Sequence, residues 1–128
     1  MKTERELSEY RLEQAAGCLK AAKALVDIGE YKSAANRSYY CIFNAMRSLL
    51  ALEKVDFKRH KGVINFFREQ YIKTGVLDNR LSVIVELLFK IRSASDYDDY
   101  YLVSKSEITE QVENAEYFLE QIKQHLSK

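Results

Sequence analysis

The sequence predicts an all-α protein, and three observations lead to that prediction. None of the 128 residues is proline and four are glycine, and these two residue types are the strongest helix breakers. Apolar residues recur every three or four positions through most of the chain, whereas the alternation typical of a sheet is nowhere sustained. The connecting segments are short, so neighbouring helices should run antiparallel. We therefore predict an antiparallel up-and-down bundle of four to five helices, forming one domain over residues 1–128.

The first two helices are predicted from their ends and from their apolar faces. Thr3-Glu4-Arg5-Glu6 has the form of a capping box that opens a helix over about residues 4–28, and Gly29 ends it. A second helix over about residues 31–52 is apolar nearly all round, which is typical of the buried centre of a bundle. Its polar residues fall on one strip. Arg37, Asn44 and Ser48 lie within about 20° of one line along the helix, and Asn36, Tyr40 and Arg47 lie to one side of that line.

Three more helices follow in order. The third is predicted over about residues 60–73, and the fourth begins near Asp78 or Asn79, either of which is a good N-cap. We expect the fourth helix to end at Arg92, because the ten residues from 92 to 101 are acidic and rich in tyrosine rather than apolar. A second capping-box pattern, Ser104-Lys105-Ser106-Glu107, opens the fifth helix.

Composition and charge argue against several classes of function. The net charge is +1, which argues against a general nucleic-acid coat protein. No apolar run approaches the roughly 20 residues that cross a bilayer, and the N-terminal residues are polar, so we expect a cytoplasmic protein without a membrane partner. Cys18 and Cys41 lack a Cys-x-x-Cys spacing and are interpreted as reduced, buried thiols. His60 and His125 have no neighbouring ligand residues, so we expect neither a metal site nor a cofactor.

Four sequence elements, taken in order, resemble the HEPN family (higher eukaryotes and prokaryotes nucleotide-binding domains). They are Gly29-Glu30-Tyr31, the stretch from Ala35 to Ala45, His60-Lys61-Gly62-Val63, and Arg92 followed by Asp96-Tyr97. The resemblance implies a helical bundle that commonly forms a homodimer. In many members an arginine followed about one helical turn later by a histidine forms a metal-independent ribonuclease site at the dimer interface. Several members are toxins encoded beside a small nucleotidyltransferase-like antitoxin, which blocks or modifies that site.

The chain departs from the family pattern after Arg92, because no histidine lies between positions 93 and 99. Histidine suits RNA cleavage because its pKa lets it accept and donate protons at neutral pH. Arg92 can still grip a phosphate with two donors, and Asp96 or His60 is the candidate for proton transfer. The candidate catalytic residues are therefore Arg92, Asp96 and His60. The candidate binding pocket consists of Arg37, Tyr40, Asn44, Arg92, Asp96 and Tyr97.

Three functions remain open at this point. The first is a toxin-like or partner component that works with a nucleotidyltransferase-type protein and whose polar pocket binds RNA or a nucleotide. The second is a metal-independent endoribonuclease that uses Arg92 with Asp96 or His60. The third is a non-catalytic structural dimer, in which Arg37 leaves the buried helix to form an internal ion pair with Asp96. Tyr97, Tyr100 and Tyr101 form either a packed, half-exposed turn or a target for modification by the partner.

Overall fold

A computed structural model describes residues 3–128 and contains five α-helices. They are α1 (Glu4–Asp27), α2 (Tyr31–Leu52), α3 (His60–Phe67), α4 (Arg80–Tyr97) and α5 (Lys105–Leu126). A π-helical turn, Arg68–Ile72, continues α3. The predicted all-α bundle is confirmed. Over residues 3–128, no helix has the length and apolar character that a membrane span requires.

Helix α2 forms the centre of the bundle and contacts all four other α-helices. Its burial follows from its composition, because apolar side chains occur on nearly every face of it. The largest of its fully buried side chains are Tyr39, Ile42, Met46, Leu49 and Leu50. Each such aliphatic side chain stabilises the fold by about 1.5–3 kcal/mol relative to exposure, so α2 supplies a large share of the core.

Capping side chains and a glycine mark the ends of the helices. The Thr3 hydroxyl accepts a hydrogen bond from the Glu6 N–H at 3.1 Å and caps α1. Ser104 and Glu107 form the complete reciprocal capping box at the start of α5. Gly29 follows α1 with φ +80°, a left-handed conformation that glycine adopts without steric cost. Asn79 is the N-cap residue of α4 but makes no side-chain capping hydrogen bond, and the Asp78 carboxylate accepts from the Arg80 N–H at 2.7 Å.

The prediction that the fourth helix ends at Arg92 is wrong, because α4 continues to Tyr97. The polar composition of this stretch is accommodated by an ion pair between Arg92 and Asp96, which lie one turn apart on the helix surface. Pairs of opposite charge at this spacing stabilise a helix by about 0.2–0.5 kcal/mol. The extra turn places Arg92 and Asp96 on one face of α4 and moves Tyr97 from a loop onto the helix.

Both cysteines are free thiols, as predicted. Cys41 is buried in the core, and this burial raises the pKa of its thiol to about 12. Cys18 was expected to be buried but is only partly so. It lies beside the polar strip of α2, with its Sγ 3.9 Å from both Arg37 Nη1 and Asn44 Nδ2. The polar strip therefore faces α1 at this point rather than solvent.

Candidate functional site

An open groove of about 500 Å³ lies between α3 with the start of its π-helical continuation and the part of α4 from Val85 to Tyr97. We call it the His60–Arg92 groove after the two residues that border it and carry its chemistry. Lys61 and Arg68 add positive charge on the α3 side, and Tyr97 lines the α4 side. Arg68 is partly neutralised by Glu86, whose Oε2 lies 3.1 Å from Arg68 Nη2. The groove is thus predominantly basic, although the whole chain is nearly neutral.

Arg92 is held from two helices. Its Nε lies 2.9 Å from Asp96 Oδ2, and its Nη2 donates to the Tyr40 hydroxyl at 3.3 Å. Its guanidinium carbon is 5.4 Å from the Tyr39 ring centre and 5.6 Å from the Tyr40 ring centre, within the range of a cation–π contact. The buried Nε–H makes no hydrogen bond, because it does not point at the Asp96 oxygen. The Arg92 side chain is 17% exposed, and a ligand in the groove can reach its exposed part.

His60 is the first residue of α3 and packs against the aromatic side of α2. Its Nδ1 lies 3.0 Å from the Tyr39 hydroxyl oxygen, and its ring centre is 4.2 Å from that of Phe43. Burial lowers the pKa of His60, and the positive charges of Arg92 and Arg47 lower it further. Since the ordinary value is 6.5, the His60 imidazole is neutral at neutral pH.

Tyr39 connects these two residues, although it was not predicted as a site residue. Its side chain is fully buried, its hydroxyl contacts His60 and its ring contacts Arg92. Burial raises the pKa of Tyr39 well above its ordinary value, although the Arg92 charge opposes this. One signal could have identified the residue: a tyrosine on an apolar helix face brings a hydroxyl into the core, and a buried hydroxyl needs a hydrogen-bond partner.

The predicted single pocket is divided between two places in the structure. Arg92, Tyr97 and His60 border the groove, whereas Arg37 and Asp96 line a separate cavity of about 390 Å³ with Lys32. Tyr40 lies between them, with the Arg37 guanidinium carbon 5.2 Å and that of Arg92 5.6 Å from its ring centre.

The expected ion pair between Arg37 and Asp96 is not formed. Asp96 pairs with Arg92 on its own helix, and Arg37 donates to the Asn36 side chain at 2.7 Å and 3.1 Å. Asn44 donates to the Tyr40 carbonyl at 3.0 Å, one turn back along α2. The Asn44 side chain therefore bonds to the backbone of its own helix and does not line the groove.

A second charged cluster, which was not predicted, is formed by Arg11, Arg47 and Asp56. The Arg11 side chain is 9% exposed and donates to the Arg47 carbonyl at 2.9 Å and to Asp56 at 3.3 Å. Arg47 donates to the same Asp56 oxygen at 3.0 Å. Burial alone would raise the pKa of Asp56, but hydrogen bonds from Arg47 and the Phe57 N–H, with the two arginine charges, lower it below its ordinary value. The cluster ties α1, α2 and the α2–α3 connection together.

The three tyrosines after Arg92 differ in their surroundings. Tyr97 is 82% exposed on the last turn of α4 and borders the groove. Tyr100 is 92% exposed in the following turn, whereas Tyr101 is partly buried and packs against the core. The expectation of a packed, half-exposed turn therefore describes Tyr101 and does not describe Tyr97 or Tyr100.

Comparisons with known proteins agree on one family. The sequence profile of the HEPN domain family matches residues 8–125. A protein of Thermotoga maritima named "UPF0332 protein" is 30% identical over 122 residues, which cover 95% of this chain and 92% of the relative. Two proteins of Methanocaldococcus jannaschii, named "Putative toxin MJ0142" and "Putative toxin MJ0605", are also similar to this chain. The first is 30% identical, covering 98% of this chain and 85% of the relative, and the second is 29% identical, covering 97% and 92%.

Proposed function

The chain belongs to the HEPN domain family, and from this premise we propose that it is the toxin-like component of a module with a nucleotidyltransferase-type protein. We further propose that the His60–Arg92 groove binds RNA or a nucleotide through a phosphate group. The toxin names of two relatives support the toxin-like role. The groove brings the cationic side chains of Lys61, Arg68 and Arg92 together, and such groups suit a phosphate ligand.

One observation carries the binding proposal: His60 and Arg92, distant in sequence, border the same open groove and contact the same buried tyrosine. A guanidinium group matches the geometry of phosphate oxygens and keeps its charge at all physiological pH values. A neutral imidazole adds one N–H donor. Lys61 borders the same groove and supplies a further positive charge for the backbone of a nucleic acid.

The binding proposal predicts the effect of replacing Arg92. Arg92→Ala should weaken the affinity for a single-stranded RNA oligonucleotide at least tenfold, because a charged donor to the phosphate is lost. The measurement is fluorescence anisotropy with the purified protein at a fixed, moderate salt concentration. Arg5→Ala is the matched control, since Arg5 is an exposed arginine on α1 that pairs only with its helix neighbour Glu9 among the described contacts. Equal affinity of both variants would show that the groove does not bind the RNA.

The partner in the proposed module is tested separately. The nucleotidyltransferase-type protein should co-purify with the tagged chain when both are expressed from adjacent genes. Substitution of the exposed Tyr97 at the mouth of the groove by Ala should reduce this co-purification if the partner covers the groove. Unchanged recovery with Tyr97→Ala would place the partner on another surface, and no recovery with the wild type would contradict the module.

A second candidate function is a metal-independent endoribonuclease, with Arg92 as the cation and Asp96 or His60 in proton transfer. The observation that favours it is spatial: His60 comes from α3 to the groove beside Arg92, although no histidine lies between positions 93 and 99. The test is cleavage of RNA in excess chelator by the wild type and by Arg92→Ala, Asp96→Ala and His60→Ala. Cleavage that is lost with Arg92→Ala supports the enzyme. Intact RNA with folded wild-type protein leaves binding as the function.

A further inference from the structure

We propose that Tyr39 is a positioning residue that fixes neutral His60 as a hydrogen-bond donor through Nε2. In this arrangement the groove offers a phosphate two kinds of donor, and His60 is not a proton acceptor there at neutral pH. The inference rests on the proposed phosphate-binding function of the groove and deepens it, because it separates binding from base catalysis.

The first step concerns the proton of the Tyr39 hydroxyl. The Tyr39 side chain is 0% exposed, so its O–H is closed off from bulk water. The described partner of the hydroxyl is His60 Nδ1, 3.0 Å away, and a buried O–H is almost always donated to an acceptor. Burial also raises the pKa of Tyr39, so the hydroxyl keeps its proton. We conclude that Tyr39 donates and that Nδ1 accepts.

The second step follows from the chemistry of the imidazole ring. A neutral histidine carries one N–H group, so a ring whose Nδ1 accepts must hold its proton on Nε2. The titratable and charged groups around the ring are Tyr39, Tyr40 and Arg47 from α2 and Arg92 from α4. Both cationic groups disfavour a second proton on the ring, as does its burial. The neutral Nε2–H form is therefore the form that borders the groove.

The third step concerns the relative position of the two donors. The same Tyr39 ring lies 5.4 Å from the Arg92 guanidinium carbon, so one buried side chain contacts both groove residues. Two donors held in this way suit an anionic oxygen. An Nε2 atom that already carries a proton cannot remove one from a ribose hydroxyl. His60 therefore contributes to binding a phosphate rather than to activating a nucleophile.

The experiment is nuclear magnetic resonance of protein labelled with ¹⁵N-histidine. The chain has two histidines, so His125 is an internal reference in the spectra of the wild type and of Tyr39→Phe. In Tyr71→Phe it is not, because the Tyr71 ring packs against His125. Tyr39→Phe removes only the hydroxyl, and Tyr71→Phe is the matched control, because Tyr71 is also buried and donates its hydroxyl to Glu53 instead. Each protein is titrated with pH and then with a single-stranded RNA oligonucleotide or with inorganic phosphate.

We expect wild-type His60 in the Nε2–H form. In Tyr39→Phe, the pKa of His60 should rise by roughly half to one pH unit, since a hydrogen bond to the neutral form is lost. RNA affinity should fall severalfold in this variant. The His60 signals of Tyr71→Phe should match those of the wild type.

Two results would overturn the inference: wild-type His60 protonated at Nδ1 at neutral pH, or an unchanged His60 titration in Tyr39→Phe. The wild-type spectrum decides the tautomer even where the variant does not fold. The proposed function fails in a different way, since neither RNA nor phosphate would then perturb the His60 signals of the wild type. If RNA or phosphate binds while His60 carries its proton on Nδ1, the proposed role of Tyr39 is wrong but the proposed binding function of the groove stands.

Discussion

At the scale of single residues, the surroundings of His60 matter more than its residue type. The sequence marks it as a candidate, but its neutral state follows from burial and from the charges of Arg92 and Arg47. None of these surroundings can be read from the residues next to it in the chain. Its role in the groove is thus a property of the folded protein.

His60 makes the stability of the protein depend on pH. Its folded-state pKa lies below its ordinary value of 6.5, so the unfolded chain binds its proton at a higher pH than the folded chain does. Above about pH 7.5 His60 is neutral in both the folded and the unfolded chain and does not change the stability. The free energy of unfolding should fall as the pH drops through 6.5 towards the lowered pKa. Urea unfolding at about pH 7.5 and pH 5.5 measures the effect.

His60→Gln should reduce this acid-dependent loss of stability, because the titrating group is removed. His125→Gln is the control for the other histidine and should retain the loss. If His60→Gln shows the same difference between the two pH values as the wild type, the pKa of His60 is not lowered by the fold.

How far the candidate site could be predicted also depends on individual residues. Arg92, Asp96 and His60 were named from sequence because their residue types carry recognisable chemistry. Tyr39 was not named, since an aromatic residue on the apolar face of α2 is usually only a packing residue. Arg11 was missed because its partners Arg47 and Asp56 are far along the chain. The roles of Tyr39 and Arg11 depend on contacts between segments that are far apart in the sequence.

At the scale of helices, the sequence predicted α2 with its correct bounds and α4 with a wrong end. The bounds of α2 follow from strong local signals, namely a glycine before it and a charged connection after it. The end of α4 was misjudged from its polar composition, although Arg92 and Asp96 have the spacing of a helical ion pair. The site depends on that final turn, because it carries Asp96 and Tyr97.

Two helical glycines predict opposite effects of the same substitution. Alanine favours a helix over glycine by about 0.8–1 kcal/mol. At Gly17 in α1 an added Cβ meets no atom within 4 Å, so Gly17→Ala should stabilise the protein by up to that amount. At Gly62 in α3 an added Cβ would lie 2.8 Å from Phe57 Cβ, and Gly62→Ala should destabilise it by about 1–3 kcal/mol.

Chemical denaturation of the two glycine variants measures both values in one series. The sign is the decisive result, since helix propensity alone would make both substitutions stabilising. A more stable Gly62→Ala protein would indicate that Phe57, which is partly exposed and 5.9 Å from the Phe66 ring centre, moves away at little cost.

At the scale of the whole molecule, we propose that the protein is a homodimer, as expected from the family. Val83 and Leu87 lie one turn apart on α4 and are 50% and 39% exposed despite their apolar side chains. This pair supports α4 as part of the dimer interface, because neighbouring apolar side chains that form a contiguous surface patch mark interaction sites. Light scattering of the wild type should give the mass of two chains.

Leu87→Glu should shift the protein towards the monomer, because a charge would then be buried between the chains. Ile28→Glu is the control at an exposed apolar residue that follows α1, and it should remain dimeric. A monomeric wild type contradicts the homodimer, and a dimeric Leu87→Glu variant places its interface elsewhere.

The position of α2 at the centre of the bundle has a further consequence for the energetics of any ligand. Tyr39 and Tyr40 belong to the helix that contacts all four others, so their backbone amides should exchange with solvent only when the whole protein unfolds. A ligand that depends on these residues binds the native state and not the unfolded chain. Its binding free energy should therefore appear as an equal slowing of hydrogen exchange along α2, rather than as local ordering of the groove.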